Sequence, residues 1–333
     1  MMNDAYGRKL HYLRVSVTDR CNLRCRYCMP EAGVTPFSHD DILSYSEIVR
    51  VVRVMATLGV DRVRLTGGEP LVRKGIEHLA AKIKEVSHIR FLGLTTNGVN
   101  LPEMASVLAD AGVDGVNISI DTLDRRRYQE ITRRDALPQA LKGLNAALET
   151  PFSSVKVNCV LFPGSLPEDW LSVISLAKKY PVDVRLIEWM PMSGESIDNA
   201  ATADEAFEKI EETYGTLKPA RQSVGAGPAR YWLAPDFIGR IGIIHAMSHN
   251  FCSECNRLRL SATGNLKLCL FYDIGIALKP MLRGGASDDQ LVETILEAIK
   301  HKPKQHAGRP MAMEEGGICS AIEHVDGMHK IGG

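Results

Sequence analysis

Six short runs rich in β-branched residues recur along the first 190 positions: residues 11–17 (HYLRVSV), 61–66 (DRVRLT), 90–95 (RFLGLT), 114–120 (DGVNISI), 153–160 (SSVKVNCV) and 182–188 (VDVRLIE). Amphipathic stretches such as residues 46–59 (SEIVRVVRVMATLG) lie between them. This β-then-α order predicts a parallel sheet, either an open doubly wound one or an incomplete barrel. Parity within the runs separates the two. Leu13, Val15 and Val17 share one face of the first run, and Arg14, Ser16 and Thr18 share the other. Arg64 and Thr66 likewise oppose Val63 and Leu65, Asn117 and Ser119 oppose Val116 and Ile118, Lys156 and Asn158 oppose Val155 and Val157, and Arg185 opposes Val184 and Leu186. A sheet covered by helices on both faces is apolar on both, and a packed eight-stranded barrel is filled with branched aliphatics. Snorkelling or a buried ion pair explains an isolated charge, but not the same polar face on strand after strand. The reading is an α/β fold: an incomplete (β/α)6 TIM-type barrel with helices outside and a polar, cationic lumen large enough for a ligand.

The polar motifs follow the strands, at the edge where βα folds place their chemistry. The first run leads into residues 18–33 (TDRCNLRCRYCMPEAG), the second ends in TGGEP (66–70), the third in TTNG (95–98), the fourth in SID (119–121) and the sixth in EWM (188–190). After residue 190 the rhythm changes, which divides the chain into 1–190 and a C-terminal α+β extension, 191–333. The extension is expected to hold a helix near 203–214, a strand pair within 229–247, a hairpin in residues 252–269 (CSECNRLRLSATGNLKLC) turning at ATGN, helices near 275–283 and 288–300, and a tail.

Forty basic residues balance forty acidic ones among 333, which argues against a dedicated nucleic-acid binder. No apolar core of a leader peptide opens the chain and no run of about 18 uncharged apolar residues suggests a membrane span, so the expected location is cytoplasmic. Eight cysteines then read as metal ligands or catalytic groups in preference to disulfides.

Six of them form two trios. Cys21, Cys25 and Cys28 are spaced C-x3-C-x2-C, which suits three irons of a four-iron cluster and leaves the fourth iron open; zinc with a histidine as fourth ligand is the alternative. Cys252, Cys255 and Cys269 are spaced C-x2-C-x13-C, and His249 stands close enough in sequence to complete a Cys3His zinc site. Arg257 and Arg259 share a face of the strand leaving Cys255, which suggests an anion held beside the second trio. Cys159 has the parity of a core residue and Cys319 that of an incidental thiol. Asp121 either orients a ligand or caps the following helix.

The first trio, with Tyr27 before its last cysteine, and the TGGEP strand end together resemble the radical S-adenosylmethionine (SAM) superfamily. There the open iron chelates SAM, and one-electron reduction releases a 5′-deoxyadenosyl radical. Gly67 and Gly68 would allow close backbone approach to a small zwitterion, and Glu69 offers an acceptor for its ammonium. From about Tyr12 onward, the CSECNRLRLSATGNLKLC hairpin and the terminal IGG are similar to the GTP 3′,8-cyclase family of molybdenum cofactor biosynthesis. That resemblance implies two 4Fe-4S clusters and SAM as cofactors, and GTP as substrate. The radical takes the ribose 3′ hydrogen, the sugar radical attacks C8 of guanine, and the second cluster's open iron holds the base. Position by position it implies SAM contacts at Tyr27, Gly67, Gly68, Glu69, Ser119 and Met190. Substrate contacts fall at Arg14, Arg64, Thr95, Lys156, Arg185, Arg257, Leu258 and Arg259. Arg14, Arg257, Arg259 and the terminal Gly332 and Gly333 take catalytic roles. It further implies a reductant protein, a downstream pyranopterin-forming enzyme that takes the product, and a homodimer as the assembly to test. Residues 308–327 make a longer tail than the family's usual one.

Overall fold

The computed structural model describes residues 2–191, 200–221, 227–249 and 251–306. Gly332, Gly333, Cys319 and the segment 308–327 lie outside the described residues. Six strands, β1 (Tyr12–Ser16), β2 (Arg62–Thr66), β3 (Phe91–Thr96), β4 (Gly115–Ser119), β5 (Ser154–Leu161) and β6 (Asp183–Glu188), run parallel in chain order. Helices α1 (Tyr45–Thr57), α2 (Ile76–Lys84), α3 (Leu101–Asp110), α4 (Arg125–Thr132), α5 (Leu137–Glu149) and α6 (Pro167–Lys179) connect them. The later elements are α7 (Ala203–Tyr214), β7 (Lys218–Pro219), β8 (Arg230–Leu233), β9 (Arg240–Ile244), β10 (Arg257–Leu260), β11 (Asn265–Lys267), β12 (Gly275–Ala277), α8 (Leu278–Arg283) and α9 (Asp288–Ile299).

The barrel does not close. β9 pairs parallel to β6 and β10 parallel to β1, so C-terminal strands extend both edges of one sheet, ordered β12-β11-β10-β1-β2-β3-β4-β5-β6-β9-β8-β7. The expected strand pair and cysteine hairpin are β8–β9 and β10–β11. The start of the helix expected near 275 is instead β12, because residues 275–277 find a strand partner in β11 before the chain turns helical.

The two faces of the sheet separate as parity requires. Leu13, Val63, Leu92, Val116, Val157 and Val184 are fully buried under the helices. Each fully buried side chain of this size contributes about 1.5–3 kcal/mol of hydrophobic stabilisation. Helices begin where the sequence supplies reciprocal caps: the Ser44 hydroxyl accepts from the Glu47 N–H and the Glu47 carboxylate from the Ser44 N–H, and Thr202/Glu205 and Ser287/Gln290 repeat the device. Cys159 is a buried core residue. Among the described residues no helix is long and apolar enough to cross a membrane.

Candidate active site

On the inner face, strand register aligns charges into rows. Arg259 of β10 stands opposite Arg14, and Arg14 opposite Arg64. Further round, Asn117 stands opposite Lys156, and Asn158 opposite Arg185. Two of these arginines have a glycine as cross-strand neighbour. A Cβ at Gly93 would stand 2.6 Å from Arg64 Cζ, and one at Gly242 2.8 Å from Arg185 Cγ. Glycine inside a strand weakens it and marks a close approach; here the approaching groups are the guanidinium side chains.

These rows line one cavity. Arg14, Arg62, Arg64, Lys156, Arg185, Arg257, Arg259 and Lys302 border it, and no carboxylate does among the described residues. Arg64 donates from Nε to the Tyr12 hydroxyl (2.7 Å) and from Nη1 to the Leu94 carbonyl (2.8 Å). Arg185 donates from Nε to Asn158 Oδ1 (2.9 Å). With its amide oxygen turned inward, Asn117 accepts from Arg185 (2.7 Å) and Arg64 (3.2 Å). Lys156 lies 3.2 Å from Asp183, a carboxylate shared with Arg240 at 2.7 Å.

Burial and like charge act together on these cations. Burial first, then Arg64, Arg257 and Arg185, lower Arg14 to about 10. Burial and then Arg185 bring Lys156 down to about 7 despite the opposing pull of Asp183. Burial followed by Arg14 and Arg257 holds Arg259 well below its usual value. Burial pushes the Tyr12 phenol up, but Arg64, Arg14 and Arg257 outweigh it and leave it at about 8. Such a cavity is electrostatically incomplete without an anion.

The second trio opens onto the same space: Cys252, Cys255 and Cys269 all line it. Burial raises the Cys255 thiol, while Lys302, Arg257 and Arg8 lower it to a net value of about 7, the direction a thiolate ligand needs. His249, the candidate fourth zinc ligand, is engaged elsewhere, 3.2 Å from Asp204 with its side chain 64% exposed.

The first trio occupies the loop after β1. Cys21 Sγ accepts from the Leu23 N–H (3.4 Å). Arg24 donates to the carbonyls of Cys21 (2.6 Å) and Leu23 (2.8 Å), and Arg133 to those of Arg24 and Met29 (3.0 Å each). TGGEP is the other wall of this loop. The Gly68 N–H donates to the Thr18 carbonyl (2.7 Å) and the Glu69 N–H to the Arg20 carbonyl (2.8 Å). Glu69 is a brace between strand ends, its carboxylate accepting from Leu71 N–H (3.0 Å), the Thr96 hydroxyl (2.8 Å) and Asn97 N–H (2.7 Å). Burial raises it to about 7. Tyr27 donates to Asp121 (2.7 Å) and packs on Phe162 and Trp189. Asp124, not Asp121, caps α4.

Of the remaining positions, Met190 lines the cavity and Ser119 ends β4, half-buried. Thr95 Oγ1 is buried without a hydrogen-bond partner among the described residues, the condition of a hydroxyl that a ligand would satisfy. Leu258 packs in the outer core opposite Leu13, so a ligand could meet it only through its main chain.

Both trios fit polynuclear iron–sulfur clusters by donor set: three thiols on a glycine-walled or cation-walled loop, with no fourth cysteine beside them among the described residues. Among the described residues no three His, Cys, Asp or Glu side chains close on a single ion, so the fit rests on these loops alone.

Comparison with known proteins agrees in extent. The family model for the radical SAM superfamily matches residues 15–205, and that for the molybdenum cofactor synthesis C region matches residues 182–308. The chain is 46% identical over 308 residues to GTP 3′,8-cyclase of Pelotomaculum thermopropionicum, covering 92% of this chain and 95% of that protein. It is 38% identical over 309 residues to human molybdenum cofactor biosynthesis protein 1, covering 92% of this chain and 48% of the human protein. Among solved structures, Streptococcus suis SuiB superposes with a TM-score of 0.57 at 14% identity, covering 89% of this chain and 66% of SuiB, a likeness of fold alone.

Proposed function

The chain belongs to the GTP 3′,8-cyclase family of the radical SAM superfamily, and we infer that it converts GTP to (8S)-3′,8-cyclo-7,8-dihydroguanosine 5′-triphosphate, the first step of molybdenum cofactor biosynthesis. The observation that carries this reading is one cavity in which a cation cluster, with no bordering carboxylate among the described residues, meets the second cysteine trio. A triphosphate with about four negative charges is the ligand such a cluster suits, and guanidinium forks match its oxygens.

As a radical SAM protein the chain uses SAM and an iron–sulfur cluster. Cys21, Cys25 and Cys28 would hold that cluster, which when bound supplies the electron that splits SAM into methionine and a 5′-deoxyadenosyl radical. Cys252, Cys255 and Cys269 would hold a second one, which when bound supplies an open iron for the guanine. The remaining work belongs to the chain. Arg14, Arg64, Lys156, Arg185, Arg257 and Arg259 bind the triphosphate and ribose end, with Asn117 and Asn158 fixing the forks of Arg64 and Arg185. Tyr27, Phe162 and Trp189 pack an apolar wall beside the first trio that excludes water from the SAM site. Fixing the substrate between the two trios keeps C3′ near C8, so bond formation competes with quenching. The electron comes from a separate reductant protein, and the product passes to a pyranopterin-forming enzyme.

Anaerobic incubation with SAM, reductant and GTP should yield 5′-deoxyadenosine and an isomer of GTP by mass analysis. Deoxyadenosine without the isomer would point to another radical SAM enzyme with an auxiliary cluster.

Two further results are expected. A triphosphate favours the charged form of Lys156, so at pH above about 7 GTP binding must draw a proton onto it and affinity must fall as pH rises. Calorimetry in buffers of different ionisation heat reads that uptake, and Lys156→Met should remove it; uptake unchanged in the variant places the proton elsewhere. Separately, Gly93→Val should push the Arg64 guanidinium out of its hydrogen-bonded seat and weaken GTP binding by about 1.5–3 kcal/mol. Equal GTP affinity in the two proteins would remove Arg64 from the substrate site.

A further inference from the structure

The three segments that bear the second trio have little regular structure of their own: a single 3-10 turn at Cys252–Glu254, the entry to β10, and the exit from β11. Two buried cations tie them together. Arg8, 8% exposed in the N-terminal segment, donates from Nη1 to the carbonyls of Cys252 (2.7 Å) and Lys304 (2.8 Å), and from Nη2 to that of Pro303 (2.6 Å). Its orientation is fixed by Asp4, whose carboxylate lies 2.5 Å from Arg8 Nε and also accepts from the N–H groups of Tyr6 and Arg8. Lys302, 3% exposed, donates from Nζ to the carbonyls of Arg257 (3.2 Å) and Leu268.

Those carbonyls belong to Cys252 itself, to the residue two beyond Cys255, and to the residue before Cys269. Residues 302–304 join the two cations, since Arg8 grips the carbonyls that follow Lys302. Among the described residues Lys302 makes no ion pair with a carboxylate, although it is buried and borders the cavity. A buried ammonium held by carbonyls needs an anion close by, and the Cys255 thiol is near enough to feel its charge.

We propose that Arg8 and Lys302 are positioning residues for the substrate-facing cluster, a clasp that holds its three cysteines in register through main-chain carbonyls and supplies a fixed positive charge at its edge. This rests on the reading that Cys252, Cys255 and Cys269 hold a second cluster. The N-terminal segment thereby braces the segments that carry the second trio, and the clasp sets both how firmly the cluster is held and how readily it is reduced.

The test compares wild type, Arg8→Gln, Lys302→Met and Lys302→Arg after anaerobic reconstitution. Iron loss to a chelator is followed in each. The reduction potential of the second cluster is measured in chains whose Cys21, Cys25 and Cys28 are replaced by alanine. Lys302→Met should lower that potential, because a charge favouring the more anionic reduced form is gone, and Lys302→Arg should restore it. Both Arg8→Gln and Lys302→Met should lose second-cluster iron several-fold faster while keeping the iron of the first cluster. If wild type takes up about eight irons per chain and the variants match it in potential and loss rate, or lose the first cluster equally fast, the clasp is overturned. If wild type takes up only about four, the second-cluster reading falls and the proposal falls with it.

Discussion

Replacing Cys252, Cys255 and Cys269 together by alanine is expected to halve the iron, from about eight to about four atoms per chain, to leave 5′-deoxyadenosine formation in place, and to abolish cyclisation. The separation of the two effects follows from where each trio is anchored. The loop of Cys21, Cys25 and Cys28 is held by Arg24, Arg133, α4 and the backbone of Gly68 and Glu69, and the hydrogen bonds that hold it involve no residue of 252–269. Its chemistry with SAM therefore needs nothing from the second trio. Cyclisation does on the reading proposed above, because the second trio and the cations line one cavity. Alanines in place of the thiols remove the hold on the base while leaving the arginines. Positioning of two reacting atoms accounts for about 7–11 kcal/mol of a barrier, so loss of the base anchor should take the product below detection. Iron and sulfide analysis with mass measurement of both products reads the outcome. Zinc at the second site, or full iron in the triple variant, would sink the two-cluster assignment.

The lumen was legible in the sequence because strand parity is strict: Arg14, Arg64, Lys156 and Arg185 alternate with buried aliphatics, and a period of two admits no ambiguity about which face they share. The first cysteine trio was legible as a group of neighbouring thiols for a simpler reason, since its three cysteines fall within eight residues. Contacts that depend on how distant segments cross were not. Tyr12 carries the same parity as Arg14, yet its bond to Arg64 is visible only once β1 and β2 are in register. Arg8 and Lys302, nearly three hundred residues apart, meet around Cys252 with no pattern in either segment to announce it. Gly93 and Gly242 did carry a signal, a glycine inside a strand, but what approaches them had to come from the fold. Residues 275–277 read as helix in the sequence because their pairing with β11 is tertiary.

Gly68→Ala should strongly impair SAM cleavage, and the reason is a contact within the protein. The sequence suggested that Gly67 and Gly68 make room for a small zwitterion. A Cβ at position 68 would stand 2.3 Å from the Arg20 carbonyl oxygen and 2.7 Å from that of Asp19, and one at position 67 would stand 2.7 Å from that of Thr18. The glycines therefore let the β2 end lie directly against the chain leading into Cys21, and two backbone hydrogen bonds seal the contact. Both colliding groups are backbone, so neither can swing aside as a side-chain tip can. Relief requires the cysteine loop to move away from Glu69 and the β3 end. Overpacking of this kind costs about 1–3 kcal/mol, well below the total of about 5–15 kcal/mol that holds a domain folded. The variant should stay folded and keep the second cluster. Displacement of the first trio by about 1 Å is enough to cost roughly 100-fold in rate, so 5′-deoxyadenosine formation should fall by at least that factor, with loosened iron at the first trio. Gly93→Val, whose Cβ would meet the Arg64 guanidinium first, should leave SAM cleavage untouched and serves as the contrast. A Gly68→Ala protein that cleaves SAM at the wild-type rate would show that the loop accommodates the methyl group and that the glycine is not required for its seating.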